Sequence, residues 1–130
     1  MDIAIDTSTV LGVVCGAAGR DRAIELTTGH TLIAPASLHW EIGNALSAMV
    51  KRGRISLAKA KACATAYEQI PIKTVDIDLG QALDLVKQLG IYAYDAYMLV
   101  CARQSGSPIL TYDHALKLHA ASLAIVVLEA

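Results

Sequence analysis

Residues 2–18, DIAIDTSTVLGVVCGAA, carry the pattern that decides the fold. A short aliphatic strand occupies Asp2–Ile5, an acid follows at once at Asp6, and a helical apolar pattern runs from Thr9 to Ala18. Such a strand, apolar on both faces, needs cover on both sides, which is the situation of a parallel sheet sandwiched between helices. The alternation continues to the end of the chain. Leu32–Ala34, Pro71–Val75, Ile109–Tyr112 and Ala124–Leu128 read as further strands from their aliphatic and β-branched content. Helical patterns fill the spaces at Asp21–Thr27, Leu38–Arg52, Leu57–Gln69, Leu79–Leu89, Asp95–Gln104 and His114–Ala121. Ser56 and Asp78 stand where N-caps belong, and Gly90 and Gly106 follow the last periodic residue of their helices. The expectation is an α/β fold: a three-layer α/β/α sandwich with a mainly parallel central sheet, forming one domain over residues 1–130.

Composition narrows the function classes. The hydrophobic fraction is 55%, supplied by Ala, Leu, Ile and Val with no Phe, and the mean hydropathy of +0.46 is high enough to suggest a surface covered by another chain. No apolar run reaches the ~18 residues that cross a bilayer, and MDIAID lacks the features of a signal peptide. No membrane role and a cytoplasmic location are expected. Cys15, Cys63 and Cys101 fall in aliphatic helical patterns without a CxxC pair and read as small buried hydrophobes. The net charge of −1 argues against a basic surface over the whole molecule. The dense basic stretch Lys51, Arg52, Arg54, Lys59 and Lys61 reads first as a solvated helix turn, with RNA-backbone contact as the alternative.

Four acids remain, each the lone acid of its window: Asp6 in AIDTST, Glu41 in HWEIGNAL, Asp95 in YAYDAYML and Asp113 in LTYDHAL. No Lys or Arg lies close to any of them in sequence, and a carboxylate in a core-forming segment requires a compensating cation. An all-oxygen set suits a hard divalent ion, Mg²⁺ or Mn²⁺, and hence phosphoryl chemistry. Asp6 and Asp113 each follow a strand at the carboxyl edge of the expected sheet, where α/β proteins bind ligands. Steps of about 100° per residue place Glu41 on the flank of the Leu38, Ile42, Leu46 stripe with Asn44 beside it one turn on. Asp95 falls in the first turn of its helix. Each acid alone has a structural reading, N-capping for Asp6 and Asp113 and helix-dipole stabilisation for Asp95. Thr111 and Ser8 could orient a carboxylate, although Ser8 could also cap the next helix. Tyr92, Tyr94, Tyr97 and Tyr112 crowd the two C-terminal acids, as core residues or as platforms for bases.

In order, DTS after the first strand, an inward Glu in EIGNAL, YDAYMLVCA opening a helix and LTYD after a later strand resemble the PIN domain. The short length resembles the VapC-type toxins of type II toxin–antitoxin systems, and the likeness spans Asp2 to about Val127. The resemblance implies a Mg²⁺- or Mn²⁺-dependent endoribonuclease, dimeric, acting on RNA and held inactive by a cognate antitoxin. It carries the acidic quartet onto Asp6, Glu41, Asp95 and Asp113, and the polar residue before the last acid onto Thr111; Asn44 falls where a small polar residue is common. On this reading Asp6 and Asp95 hold the principal metal. Glu41 and Asp113 act through water, position a second ion or orient the attacking water. Two other readings stay open: a PIN-like interaction domain without nuclease activity, and an aspartyl phosphotransfer or phosphatase domain using Asp6. The second would want a Lys after a later strand, which Ile109–Asp113 does not supply.

Overall fold

Over residues 1–129, which the computed structural model describes, strand and helix alternate as β1 (Asp2–Ile5), α1 (Thr7–Cys15), α2 (Arg20–Thr27), β2 (Thr31–Pro35), α3 (Leu38–Lys51), α4 (Leu57–Glu68), β3 (Ile72–Val75), α5 (Leu79–Leu89), α6 (Ala93–Ser105), β4 (Ile109–Leu110), α7 (His114–Ser122) and β5 (Val127–Leu128). All five strands pair in parallel in the order β3-β2-β1-β4-β5.

Period-two alternation along the strands explains the three layers. Ala4, Ile33 and Ile109 point into one core, closed by Leu85, Leu99 and Leu116 of α5, α6 and α7. Ile3, Ile5, Ala34 and Leu110 point the other way, into a core closed by Val10, Leu38, Ile42, Leu46 and Cys63 of α1, α3 and α4. The central strands β1, β2 and β4 are covered on both faces and read as aliphatic runs, whereas the edge strand β3 exposes Lys73 and Thr74. The chain is thus an α/β/α sandwich, as the alternation in the sequence requires.

Caps fix the helix ends. Ser56 and Asp78 accept the backbone N–H of Lys59 and Gln81, and Gly90 and Gly106 close α5 and α6 in the left-handed conformation. Five expected boundaries shift by two residues or more, one of them the start of α6, at Ala93 rather than Asp95. Helix α1 starts at Thr7 rather than Thr9, because Asp6 itself is the N-cap, and ends before Gly16. Strand β4 stops at Leu110 rather than Tyr112, because Thr111 turns the chain: its hydroxyl takes the N–H of Asp113 at 3.0 Å. Strand β5 begins at Val127 rather than Ala124, which has a φ of 58° and cannot lie in a strand.

The strand order positions the site. Successive connections lead from β1 outward to β2 and β3 on one side, and to β4 and β5 on the other. The chain therefore reverses direction between β1 and β4, and a crevice opens beyond their carboxyl ends. Ile5 lies level with Leu110 in that pair, so Asp6 and Thr111 leave the sheet side by side.

Candidate active site

A cavity of about 320 Å³ occupies that crevice, lined among others by Asp6, Thr7, Ser8, Glu41, Tyr94, Asp95 and Asp113. The four carboxylates singled out in the sequence, from four separate segments, all face it. An apolar floor of Leu11, Pro35, Leu38, Met98 and Leu116 carries them.

Asp6 is the most constrained. As N-cap of α1 it accepts the N–H of Thr9 through Oδ1 at 3.0 Å, and the Thr111 hydroxyl donates to Oδ2 at 2.6 Å. Ser8 Oγ lies 2.9 and 3.0 Å from the two carboxylate oxygens and accepts the N–H of Tyr112 at 3.0 Å. Ser8 therefore does not cap α1: the helix already starts at Thr7, and the hydroxyl ties the start of α1 to the segment after β4. Thr9 Oγ1 reaches both Asp6 Oδ1 at 2.9 Å and the Leu110 carbonyl at 2.7 Å. Three hydroxyls and an amide thus hold one carboxylate in one orientation.

Asp113 caps α7, accepting the N–H of Leu116 through Oδ1 at 2.9 Å, and is exposed. Capping and cavity-lining are compatible at both acids, because a helix that starts at the carboxyl edge of a strand aims its cap into the crevice. Asp95 sits in the first turn of α6 and, among the described residues, accepts no hydrogen bond. Glu41, in the first turn of α3, is held by the Ser37 hydroxyl at 2.7 Å and by Thr7 Oγ1 at 3.5 Å.

Electrostatics follow from this crowding. Desolvation raises the Glu41 carboxyl above its ordinary 4.5; hydrogen bonds from Ser37 and Thr7 pull it back, and the charges of Asp6 and Asp95 push it up further. Desolvation also raises Asp95 above its ordinary 3.8, joined by Asp113 and Asp6, with His119 opposing. An acid whose folded pKa is raised binds its proton more tightly when folded. Its contribution to metal-free stability is therefore fully present below the ordinary value and is lost as pH rises through the folded value. A Glu41→Gln/Asp95→Asn variant without metal should gain on the parent in urea midpoint as pH climbs from about 4 towards 7, where ordinary carboxyls have already ionised. A constant gap across that range would show that the two acids are not desolvated.

The donor set fits a hard divalent cation: oxygen only, partly desolvated, and mutually repulsive without one. No group of three or more acidic, His or Cys side chains among the described residues is close-set enough to form a ready ligand cage. The carboxylates therefore line an open cleft. That suits Mg²⁺, which keeps several waters and takes one or two carboxylates together with substrate phosphates.

Asn44 is exposed and does not line the cavity: one turn beyond Glu41, the axis of α3 has carried it about 4.5 Å away from the sheet edge. Ser37 and His119 were missed. Ser37 stands four residues before Glu41, one more than a capping box allows, so no box signals it. His119 has a signal in the helical spacing Asp113, Leu116, His119. The tyrosines divide: Tyr94 lines the cavity and packs edge-on against Tyr97, Tyr92 is 89% exposed, and Tyr112 belongs to the core beneath α1. Cys63 and Cys101 are buried; Cys15 is half-buried with its Sγ 3.1 Å from that of Cys63, and burial with that neighbour pushes its thiol up to about 11.

The sequence matches the PIN domain over residues 3–121. The chain belongs to the PIN domain family. A comparison with curated protein sequences finds no significant match. Solved structures show the same fold at low identity. PAE2754 from Pyrobaculum aerophilum superposes with a TM-score of 0.71 at 22% identity, covering 92% of this chain and 79% of that one. VapC20 from Mycobacterium tuberculosis, described as a sarcin–ricin loop cleaving toxin, gives 0.67 at 13%, covering 98% and 99%. VapBC2 from Rickettsia felis, bound to a DNA fragment from its promoter, gives 0.69 at 12%, covering 99% and 98%.

Proposed function

We propose that this PIN domain is a Mg²⁺- or Mn²⁺-dependent endoribonuclease and the toxin of a type II toxin–antitoxin pair. The observation that carries the reading is the set of Asp6, Glu41, Asp95 and Asp113, brought to one cavity with no Lys or Arg lining it. Its resemblance to VapC structures that are toxins, or complexes of toxin and antitoxin, supports the same conclusion.

Asp6, Asp95 and Asp113 would hold the cation. A bound divalent ion supplies positive charge at the phosphoryl oxygens and makes water a better nucleophile. The chain's own residues do the rest. Ser8, Thr9 and Thr111 fix the Asp6 carboxylate, so it need not reorganise during reaction. Asp113 spends one oxygen on its cap and keeps the other for the cavity. Glu41, held by Ser37 and raised by desolvation, is suited to orient the attacking water and accept its proton.

Partners follow from the surface. Trp40 is 73% exposed, and the large apolar side chains of Leu79, Leu83 and Tyr92 are exposed too. We assign this surface to a cognate antitoxin and to a second copy of this chain. No helix among the described residues is long and apolar enough to cross a membrane, and we place the protein in the cytoplasm, where its substrate is.

The test is cleavage of RNA by protein freed of antitoxin. Cutting should require Mg²⁺ or Mn²⁺, stop on adding EDTA and return with excess metal. Undiminished cleavage in chelator, or none of any RNA with metal, would sink the proposal.

A further inference from the structure

The cations are unevenly placed. Five of the eleven Lys and Arg residues lie between Lys51 and Lys61, where no acid occurs; indeed none occurs from Ile42 to Tyr67, and the six other cations share the chain with all twelve acids. Lys51, Arg52, Arg54, Lys59 and Lys61 are all exposed on the end of α3, the turn after it and the first turns of α4. None enters an ion pair among the described residues, whereas Arg20, Arg22 and Lys117 elsewhere each pair with an acid.

Helix electrostatics accounts for only part of this cluster. Lys51 and Arg52 complement the negative end of α3, but Lys59 sits at the third position of α4, where the helix N-terminus disfavours a cation, and Lys61 follows in the next turn. A polyanion would offset that cost. The cavity without its cation, moreover, repels a phosphate backbone through four carboxylates, and with it engages only the phosphate at the cut. Affinity for the rest of the backbone has to come from elsewhere on the chain, and residues 51–61 are its densest concentration of positive charge.

We propose that the α3–α4 turn is a phosphate-binding surface that holds the RNA backbone beyond the cleaved bond. The inference rests on the ribonuclease reading above and adds a site to it. Helix α3 joins the two: Glu41 at its start faces the cavity and Lys51 ends it, a separation of about 15 Å at 1.5 Å per residue. The surface therefore engages RNA several nucleotides from the cut and reads charge rather than bases, so it sets affinity and not the chemical step.

The experiment replaces Lys51, Arg52, Arg54, Lys59 and Lys61 by Gln in the full chain. Fluorescence anisotropy in EDTA, with an RNA of about 20 nucleotides, longer than the roughly 4–16 of a single-strand site, measures binding without cleavage. The expected result is affinity at least about tenfold weaker, and a slope of log affinity against log salt shallower by up to about 3.5, from roughly 0.7 per lost single-strand contact. With Mg²⁺, KM should rise in step while kcat holds within about twofold, since the turn touches no reacting atom. A second variant, with the three Lys changed to Arg and the two Arg to Lys, keeps the charge and should bind like the parent. If the five-Gln variant binds RNA as tightly as the parent with the same salt slope, or if the parent binds no RNA, the surface is not a phosphate site. Polyglutamate binding as tight as RNA, and equally lost in the variant, would overturn the inference in favour of an acidic protein partner. A parent that binds RNA but never cuts it defeats the nuclease reading alone, and the binding arm still decides this one.

Discussion

Asp95→Asn is expected to lower RNA cleavage by about 10²–10³-fold or more, the scale on which removal of a key charged or polar group acts in an active site. The substitution keeps the shape of the side chain and one acceptor oxygen but removes the negative charge. The structural role of Asp95 is slight: it sits in the first turn of α6, where dipole stabilisation is about 0.3–1 kcal/mol, and among the described residues it caps nothing. Its cost in the metal-free fold is larger in kind, because desolvation and the charges of Asp113 and Asp6 all oppose its ionisation. Loss of the charge should therefore leave the metal-free Tm unchanged or raised, while the Tm increase on adding Mg²⁺ shrinks, since fewer ligands remain to bind ion to the folded state. Growth arrest on expression should disappear as well. Cleavage within a few-fold of the parent would remove Asp95 from the chemistry, and a fall in Tm with normal cleavage would return it to the role of a helix-start anion.

The same residue shows what the sequence discloses. A strand followed directly by an acid is a local signal, so Asp6 and Asp113 could be assigned to the carboxyl edge before any pairing was known. Glu41 and Asp95 were legible through helical periodicity and isolation from cations. What joins them is the strand order, in which β1 lies between β2 and β4, and parallel pairing over more than a hundred residues leaves no local trace. The hydroxyl network was half visible for the same reason. Ser8 lies two residues from Asp6, but Thr111 reaches Asp6 only because Ile5 and Leu110 are level in the sheet. Asn44 shares the flank of Glu41 one turn on, and in the structure it is exposed and stands outside the cavity lining.

Gly12 is a second position whose importance is invisible in sequence, and Gly12→Ala should be among the most damaging small substitutions. Gly12 lies buried in the middle of α1, where Ala would ordinarily gain up to about 1 kcal/mol in helix propensity. Here a methyl group would overlap Tyr112 Cε2 and lie 2.9 Å from Cδ2 and 3.3 Å from Cζ of the same ring. The ring cannot yield freely, because it packs in the core formed by Ile5, Val10, Leu38 and Leu110, with its hydroxyl buried and unpaired among the described residues. Overpacking of this kind costs about 1–3 kcal/mol, which exceeds the propensity gain. The expected Tm loss is about 4–8 °C at roughly 4 °C per kcal/mol. Function should fall too, because Tyr112 stands between Thr111 and Asp113 and its N–H is bonded to Ser8. A ring pushed outward drags both site residues from Asp6, and displacements near 1 Å cost up to about 10²-fold in rate. Tyr112→Leu in the same chain should restore much of the stability, giving a coupling of about 0.5–3 kcal/mol in a double-mutant cycle. Tyr112→Phe, which deletes only the unpaired hydroxyl, should restore nothing to Gly12→Ala. A Gly12→Ala protein as stable as the parent, or one that Tyr112→Leu fails to rescue, would mean that the ring relaxes without cost and that α1 and the segment after β4 are not locked together through this contact.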